Sequence, residues 1–287
     1  MSDASSKAAL LLQETNTLFS LPEVCIRLRE TLADPDSSRK EVADIIMLEP
    51  SLVTRVLRIV NSAYFGLSTT VKDISHALGI LGESELNNLI MVTSIMQTMD
   101  SVDTEIDLKE FWKSSVYCAV LSRNLAAYCQ LEAKAREEMF LAGLLFDIGK
   151  LPLYFSEPEL LSEVKSKVIE LDKKDYLVER EILGFNHSDV GSLMTKTWNF
   201  SDLMSETISA HHELDETKES SLECQIAYLT EHCRDNIDLN EQIEFDSEEL
   251  GFSLPKEVKS LNISDQEFAD ILNRSQAEYL QAYQCFC

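Results

Sequence analysis

The chain has 287 residues, of which 45% are apolar, 50 are Asp or Glu and 25 are Lys or Arg. The apolar content excludes a disordered chain, and the net charge of −25 repels phosphate, so neither nucleic acid nor an anionic membrane is an expected partner. Only 8 Gly and 6 Pro interrupt the sequence, which favours long helices over many short strands.

The N-terminal stretch and the cysteines indicate the compartment. "MSDASSKAALLLQETN" lacks the basic segment and the small-residue cleavage site of a signal peptide. No apolar stretch reaches the roughly 18 residues that a membrane-spanning helix needs. The seven cysteines are an odd number without paired spacing, which indicates reduced thiols. We therefore expect a cytoplasmic protein.

The first part of the chain, residues 22–100, is predicted to be a series of helices. Residues 74–99 contain a short helix, a turn at Gly82 and a longer helix, and the acidic segment 100–108 is interpreted as a linker. Apolar residues also recur at helical spacing in "LPEVCIRLRETLAD", "SSRKEVADIIMLEP" and "SLVTRVLRIVNSAYFG".

The second part of the chain also shows helical periodicity. Residues 109–129 predict a long amphipathic helix, and "KAREEMFLAGLLFDIG" predicts the next one. Residues 202–249 are strongly acidic and are opposed only by Lys218 and Arg234. The stretch 265–284 predicts a last amphipathic helix, which we expect to pack on the core.

Six motifs stand in order along the chain: "EPSLVTRVLRIVNSAYFG", "ISHALGILG", "FWKSS", "AGLLFDIGKL", "LGFNHSDVGSLM" and "ISAHHE". Together they resemble the HDOD domain, a bacterial signalling module related to the HD and HD-GYP phosphohydrolases. The resemblance implies an all-α, HD-domain-like bundle of two packed helical units. It places the HDOD domain at 14–235, with an N-terminal unit at 14–102, an HD-like unit at 107–235 and a C-terminal acidic segment and helix at 236–287.

The resemblance also carries over the metal-ligand positions of the HD phosphohydrolases. In those enzymes a divalent ion, held by imidazole and carboxylate groups, lowers the pKa of a bound water. The positions fall on Ser114, Phe146, Asp147, His187, His211 or His212 and, by a weaker match, Glu231.

Two of these positions lack a usable donor. Ser114 is a poor ligand, and Phe146 cannot coordinate a metal at all. The loss of two imidazoles predicts a degenerate site with no catalytic residue, no bound metal and no cofactor.

The surviving polar residues have structural interpretations. Asp147 can pair with Lys150 one helical turn away, and Lys150 is expected to form an exposed ion pair. His187 lies where a helix N-cap is expected, and His211 and His212 lie near a helix C-terminus, where the dipole favours positive charge. Alternatively, these five residues line a vestigial pocket that binds a small ligand or a peptide.

The family-signature residues are interpreted as structural. Asn61 is expected to end a helix and bind backbone at a sharp turn, although Asn61 and Ser62 could also bind a ligand. Tyr64 and Phe65 are expected to pack between the two units. The signature set is Arg55, Asn61, Ser62, Tyr64, Phe65 and Gly66.

These observations predict a bacterial regulatory protein that acts in signal transduction through an unidentified protein partner, without catalysis. A groove between the two units is the expected recognition surface, and the acidic stretch 202–249 would steer a basic partner. One alternative is a metal-dependent phosphohydrolase with a reduced ligand set. Another is a small-molecule or nucleotide sensor that uses the vestigial cleft. The Gly-Tyr-Pro segment of HD-GYP enzymes is absent after "HHE", where "LDETKES" follows.

Overall fold

The regular structure of the chain is helical. It was examined in a computed structural model that describes residues 3–15, 19, 21–62, 65, 67–99, 106–156, 158–214, 219–239, 245–246 and 252–286. Within these ranges every regular element is a helix, which confirms the all-α prediction. No helix among them is long and apolar enough to cross a bilayer.

The helices alternate with short connections along the chain. In order they are α1 (Asp3–Thr15), α2 (Glu23–Ala33), α3 (Arg39–Met47), α4 (Pro50–Val60), α5 (Ile74–Leu81), α6 (Glu83–Met99), α7 (Leu108–Tyr128), α8 (Ala133–Leu144), α9 (Lys150–Ser156), α10 (Pro158–Leu171), α11 (Asp175–Leu183), α12 (His187–Thr197), α13 (Asp202–Ala210), α14 (Leu222–Asn236) and α15 (Asp265–Phe286). A 3-10 helix, Lys256–Leu261, precedes α15.

The chain divides into two compact units. The larger unit combines residues 1–19 with 103–276, and the smaller unit combines residues 20–102 with 277–287. The first helix therefore belongs to the same unit as α7 to α14, and α15 contains residues of both units. The domain boundaries expected from the sequence stay a prediction.

Capping residues at the helix ends and the buried apolar face of α4 explain the helices of the smaller unit. Ser38 and Glu41 form a capping box at the start of α3, and α4 begins with Pro50, which suits a first helical position. The apolar face of α4 is buried. The chain leaves α4 at Asn61, whose amide donates to the carbonyls of Leu57 at 2.9 Å and Val71 at 2.8 Å.

Asn61 also accepts a hydrogen bond of 2.7 Å from the backbone N–H of Val71, so its side chain clamps the turn at both backbone groups. Arg55, Ser62 and Phe65 are half-buried in this region. The expectations for Tyr64 and Gly66 lie outside the described residues.

The larger unit is built around α7, which is buried along most of its length, including Trp112 and Tyr117. It packs mainly against α8, and α12 packs on α13. The prediction that α8 continues through Ile148 is wrong, because the helix ends at Leu144. Backbone bonds from Ile148 to Leu145 and from Lys150 to Asp147 then form tight turns that lead into α9.

Candidate functional site

A group of titratable side chains meets inside the larger unit, between the turn 145–149 and helices α11 to α14. We call this group the histidine–carboxylate cluster. Its members are Asp147, Lys150, Asp175, Glu179, His187, His211, His212, Glu231 and Arg234.

Gly149 and the N-cap of α12 bring Asp147 and His187 together. A Cβ at Gly149 would lie 2.0 Å from the carbonyl oxygen of His187, so only glycine lets the turn after Asp147 approach the start of α12 this closely. Asn186 caps α12 through a capping box with Asp189. The expected cap role of His187 is therefore wrong, because His187 is the first helical residue and is fully buried.

Glu179 fixes the orientation of His187. The Nδ1 atom of His187 lies 2.6 Å from Glu179 Oε2, and the backbone N–H of His187 donates to the same oxygen at 2.9 Å. The hydroxyl of Tyr154 donates to the other oxygen of Glu179 at 2.5 Å. Nδ1 therefore carries a proton, and Nε2 is left facing Asp147 Oδ1 at 3.2 Å and the Nε2 of His212 at 2.7 Å.

The pKa values of the three imidazoles diverge because their neighbours differ. Burial opposes protonation of His187, but Glu179 outweighs burial and raises the pKa of His187 to about 9. Burial lowers the pKa of His211 to about 3 and holds that of His212 well below 6.5. His211 and His212 are therefore neutral near pH 7, so the interpretation of these residues as cations at a helix C-terminus is wrong.

His211 has one satisfied nitrogen and one orphan. Its Nδ1 donates to the carbonyl of Ile208 at 2.6 Å, at the C-terminal end of α13. Its Nε2 is buried and has no hydrogen-bond partner among the described residues. The free lone pair lies within 4.8 Å of the donor atoms of Asp147, His187 and His212.

The cluster pairs its own charges. Lys150 lies 2.9 Å from Asp147 Oδ1 and 2.9 Å from Asp175 Oδ2, and only 13% of its side chain is exposed. The expectation of an exposed surface ion pair is therefore wrong. Burial opposes ionisation of Asp147, but Lys150 and Arg234 outweigh it and hold the pKa of Asp147 well below its usual range.

On the other side, Arg234 pairs with Glu231, which is 3% exposed and lies 3.6 Å from the Nδ1 of His212. Glu231, the weakest sequence match, thus lies beside the histidines.

Phe146 and Ser114 differ from these residues. The Phe146 ring is 1% exposed and stacks on His211, with ring centroids 5.2 Å apart and an interplanar angle of 5°. It fills space next to an imidazole and offers no donor. Ser114 lies half-buried on α7 and is not among the described donors that converge.

A cavity of about 790 Å³ borders His212. We call it the acidic cavity. Its described lining contains no Lys or Arg, and it reaches the 3-10 helix, a segment that sequence periodicity did not place near the histidines. The described lining residues are Tyr176, His212, Glu213, Leu214, Glu219, Ser220, Gln225, Tyr228, Glu257 and Ser260.

Comparison with known families identifies the fold. The family model of the HDOD domain matches residues 18–214. The chain belongs to the HDOD domain family. This membership confirms the resemblance drawn from the sequence motifs.

Three solved structures share the fold of this HDOD chain. A candidate phosphohydrolase from Shewanella amazonensis SB2B is 22% identical, with a TM-score of 0.73 and coverage of 96% of this chain and 98% of its own. An HDOD domain protein of unknown function from Geobacter sulfurreducens is 20% identical, with a TM-score of 0.70 and coverage of 99% and 98%. A candidate signal transduction protein from Marinobacter aquaeolei VT8 is 17% identical, with a TM-score of 0.65 and coverage of 99% and 66%.

A sequence relative from Treponema pallidum (strain Nichols), an uncharacterized protein, is 24% identical over 212 residues. The match covers 74% of this HDOD chain and 41% of the relative, so the chain spans less than half of that protein's length.

The HD relatives of the HDOD family imply a metal, and four described residues fit one divalent ion. Asp147, His187, His211 and His212 offer one oxygen and three nitrogen donors within 4.8 Å of one another. The orphan Nε2 of His211 and the ring orientation of His187, which Glu179 sets, suit this use. Such a donor set suits iron, manganese or zinc, which would supply Lewis acidity to a bound water.

Proposed function

We propose that the chain is a regulatory HDOD module of a bacterial cytoplasm, which binds a protein partner and does not hydrolyse phosphoesters. The observation that carries the proposal is the stack of Phe146 on His211. The HD phosphohydrolases have a metal-binding imidazole at the position of Phe146. Here an apolar ring with 1% exposure occupies that position.

The electrostatics around the cluster also oppose a phosphoester substrate. The acidic cavity opens beside His212, and its described lining residues include three carboxylates and no Lys or Arg. A phosphate group approaching His212 through this cavity would be repelled. Lys150 cannot offset that repulsion, because Asp147 and Asp175 already hold its ammonium group. The same pairing removes the support for an anion or nucleotide sensor at Lys150.

Metal content and turnover test the absence of hydrolysis. The protein is purified without chelator, and its manganese, iron and zinc contents are measured by mass spectrometry. Hydrolysis of bis-p-nitrophenyl phosphate is then followed with added manganese or iron for the wild type and for Asp147→Ala. We expect no turnover above that of Asp147→Ala. Stoichiometric metal together with turnover that Asp147→Ala abolishes would overturn the proposal.

One observation favours a second candidate, a metal-dependent phosphohydrolase with a reduced ligand set. The four donors Asp147, His187, His211 and His212 converge, and the Nε2 of His211 has no other described partner. The same experiment decides between the two candidates, because this alternative requires both bound metal and turnover.

Protein binding needs its own test. Partners are captured from the native organism, purified alone and titrated into the chain by calorimetry. We expect a 1:1 complex that weakens as salt is raised, since the net charge of −25 steers a basic partner. If no purified candidate binds, the regulatory proposal loses its partner and fails.

A further inference from the structure

The residues that line the acidic cavity come from distant parts of the chain. Tyr176, near the start of α11, stacks on His212 with ring centroids 4.2 Å apart and an interplanar angle of 9°. Gln225 on α14 donates to the carbonyl of Ser220 at 2.9 Å and accepts from the hydroxyl of Ser260 on the 3-10 helix. These contacts tie the 3-10 helix to α14.

The charge that lines the cavity is only partly neutralised. Glu213 pairs with Arg180, whereas Glu219 and Glu257 have no ion pair in the described part of the chain. Burial, Glu257 and Glu213 all raise the pKa of Tyr228, so both carboxylates act on the same wall of the cavity. A cation inside would be attracted by Glu219 and Glu257, and an anion would be repelled by them.

The remaining lining selects an organic cation over a metal ion. The carboxylates of the cavity do not form a group with metal-ligand spacing among the described residues. Tyr176 and Tyr228 instead line the cavity with aromatic rings, a side-chain type that attracts ammonium and guanidinium groups. The volume of about 790 Å³ lies in the range of pockets that enclose a whole small molecule or a few side chains.

We propose that the acidic cavity binds an organic cation that carries ammonium or guanidinium groups. Glu219 and Glu257 supply the charge, and Tyr176 and Tyr228 supply the aromatic walls. The cation comes either from a free polyamine or from Lys and Arg side chains of a bound polypeptide. This inference goes beyond the regulatory role, because the binding is measured directly and does not depend on whether the chain hydrolyses a phosphoester.

Calorimetry with defined probes tests the proposal. Spermidine, an acetylated Gly-Lys-Arg-Gly amide and, as an anion, ADP are each titrated into the wild type in about 0.15 M salt, which screens diffuse attraction. The test variant is the double substitution Glu219→Gln and Glu257→Gln. The matched control is Glu159→Gln with Glu170→Gln, which removes the same charge from exposed positions on α10.

We expect one site for spermidine, for the peptide or for both, and no binding of ADP. Affinity should fall about tenfold in the test variant, which loses two carboxylates of the cavity, and should be unchanged in the control. Binding of the peptide alone assigns the cavity to a polypeptide side chain, whereas binding of spermidine assigns it to free amines as well.

Two results would overturn the proposal. One is the failure of both cationic probes to bind the wild type. The other is an equal loss of affinity in the test and control variants, which would show diffuse attraction to an acidic surface. Tyr228→Phe keeps the aromatic face and should bind as the wild type does, whereas Tyr228→Leu should bind more weakly at unchanged helical content.

Discussion

The histidine–carboxylate cluster and the acidic cavity lie on either side of His212, and they treat charge in opposite ways. In the cluster, Lys150 sits between Asp147 and Asp175, and His187 is held by Glu179. The cluster is mostly buried, and each of its charged groups has an oppositely charged neighbour. The cavity is open and carries a surplus of negative charge.

This difference separates charges that stabilise the fold from charges that are free to bind. A buried charge without a partner costs several kcal/mol, so buried charges must be matched for the chain to fold. An exposed carboxylate is solvated by water and costs little, and it can serve a ligand. Glu219 and Glu257 are of this second kind, whereas Asp147 is of the first.

The largest expected effect on stability comes from removing a paired charge of the histidine–carboxylate cluster. Lys150→Met leaves Asp147 and Asp175 without their shared cation, and the free energy of unfolding should fall by about 3–5 kcal/mol. Urea unfolding followed by circular dichroism measures this change. Lys165→Met is the control, because Lys165 is exposed, and it should shift stability by less than about 0.5 kcal/mol. Equal unfolding midpoints for the two variants would show that the buried pairing does not stabilise the fold.

A smaller effect is expected from acid. His211 has a pKa of about 3 in the folded chain and 6.5 as its ordinary value, so the unfolded chain binds more protons once the pH falls below 6.5. Its contribution is complete above pH 6.5 and is lost as the pH falls toward 3. From pH 7 to pH 5 it should lower the free energy of unfolding by about 2 kcal/mol, and neutral His212 acts in the same direction.

The contribution of His187 to the free energy of unfolding changes with pH in the opposite direction. Its folded pKa of about 9 gives stability that is present below pH 6.5 and is lost as the pH rises through 9. Urea unfolding in EDTA at pH 5, 6 and 7 measures the balance. His211→Gln should flatten the slope, and His76→Gln, at an exposed position on α5, should leave it unchanged. If the free energy of unfolding of His211→Gln depended on pH as that of the wild type does, the low pKa assigned to His211 would be contradicted.

The smallest effect on stability is expected from the carboxylates of the acidic cavity. Replacing Glu219 and Glu257 by Gln should change the free energy of unfolding by less than about 0.5 kcal/mol, since neither carboxylate has an ion pair among the described residues. The same urea titration measures it. A loss of 2 kcal/mol or more, on the order of a buried contact, would place these carboxylates with the structural charges and remove the contrast with the cluster.

Much of the fold could be predicted from local pattern. The turn at Gly82, the helix end at Asn61 and the last amphipathic helix follow from glycine conformation, side-chain capping and apolar spacing. The end of α8 could not be predicted in this way. "FLAGLLFDIG" is apolar except for Asp147 and keeps helical periodicity, whereas the close packing of Gly149 on His187 requires a turn there.

Family motifs named Asp147, His187, His211 and His212, and the structure brings these four side chains together. The expectations of an exposed Lys150 and of positive charge on His211 and His212 were wrong. Burial and pairing depend on which residues meet in space, and sequence spacing does not report them. For the acidic cavity, the sequence showed only the acidic stretch 202–249, which contains Glu213 and Glu219. Its other walls could not be predicted, because Tyr176, Tyr228 and Glu257 meet only when α11, α14 and the 3-10 helix pack together.

The sequence by itself determined the helical class, the family and the absence of an imidazole at Phe146. These depend on residue type and on spacing within one helix, which the chain carries locally. Only the tertiary structure decided which charges are matched and which are left open. Matching requires side chains more than 20 residues apart, such as Lys150 with Asp175 and His187 with His212, to come within about 3 Å, and packing alone sets those distances.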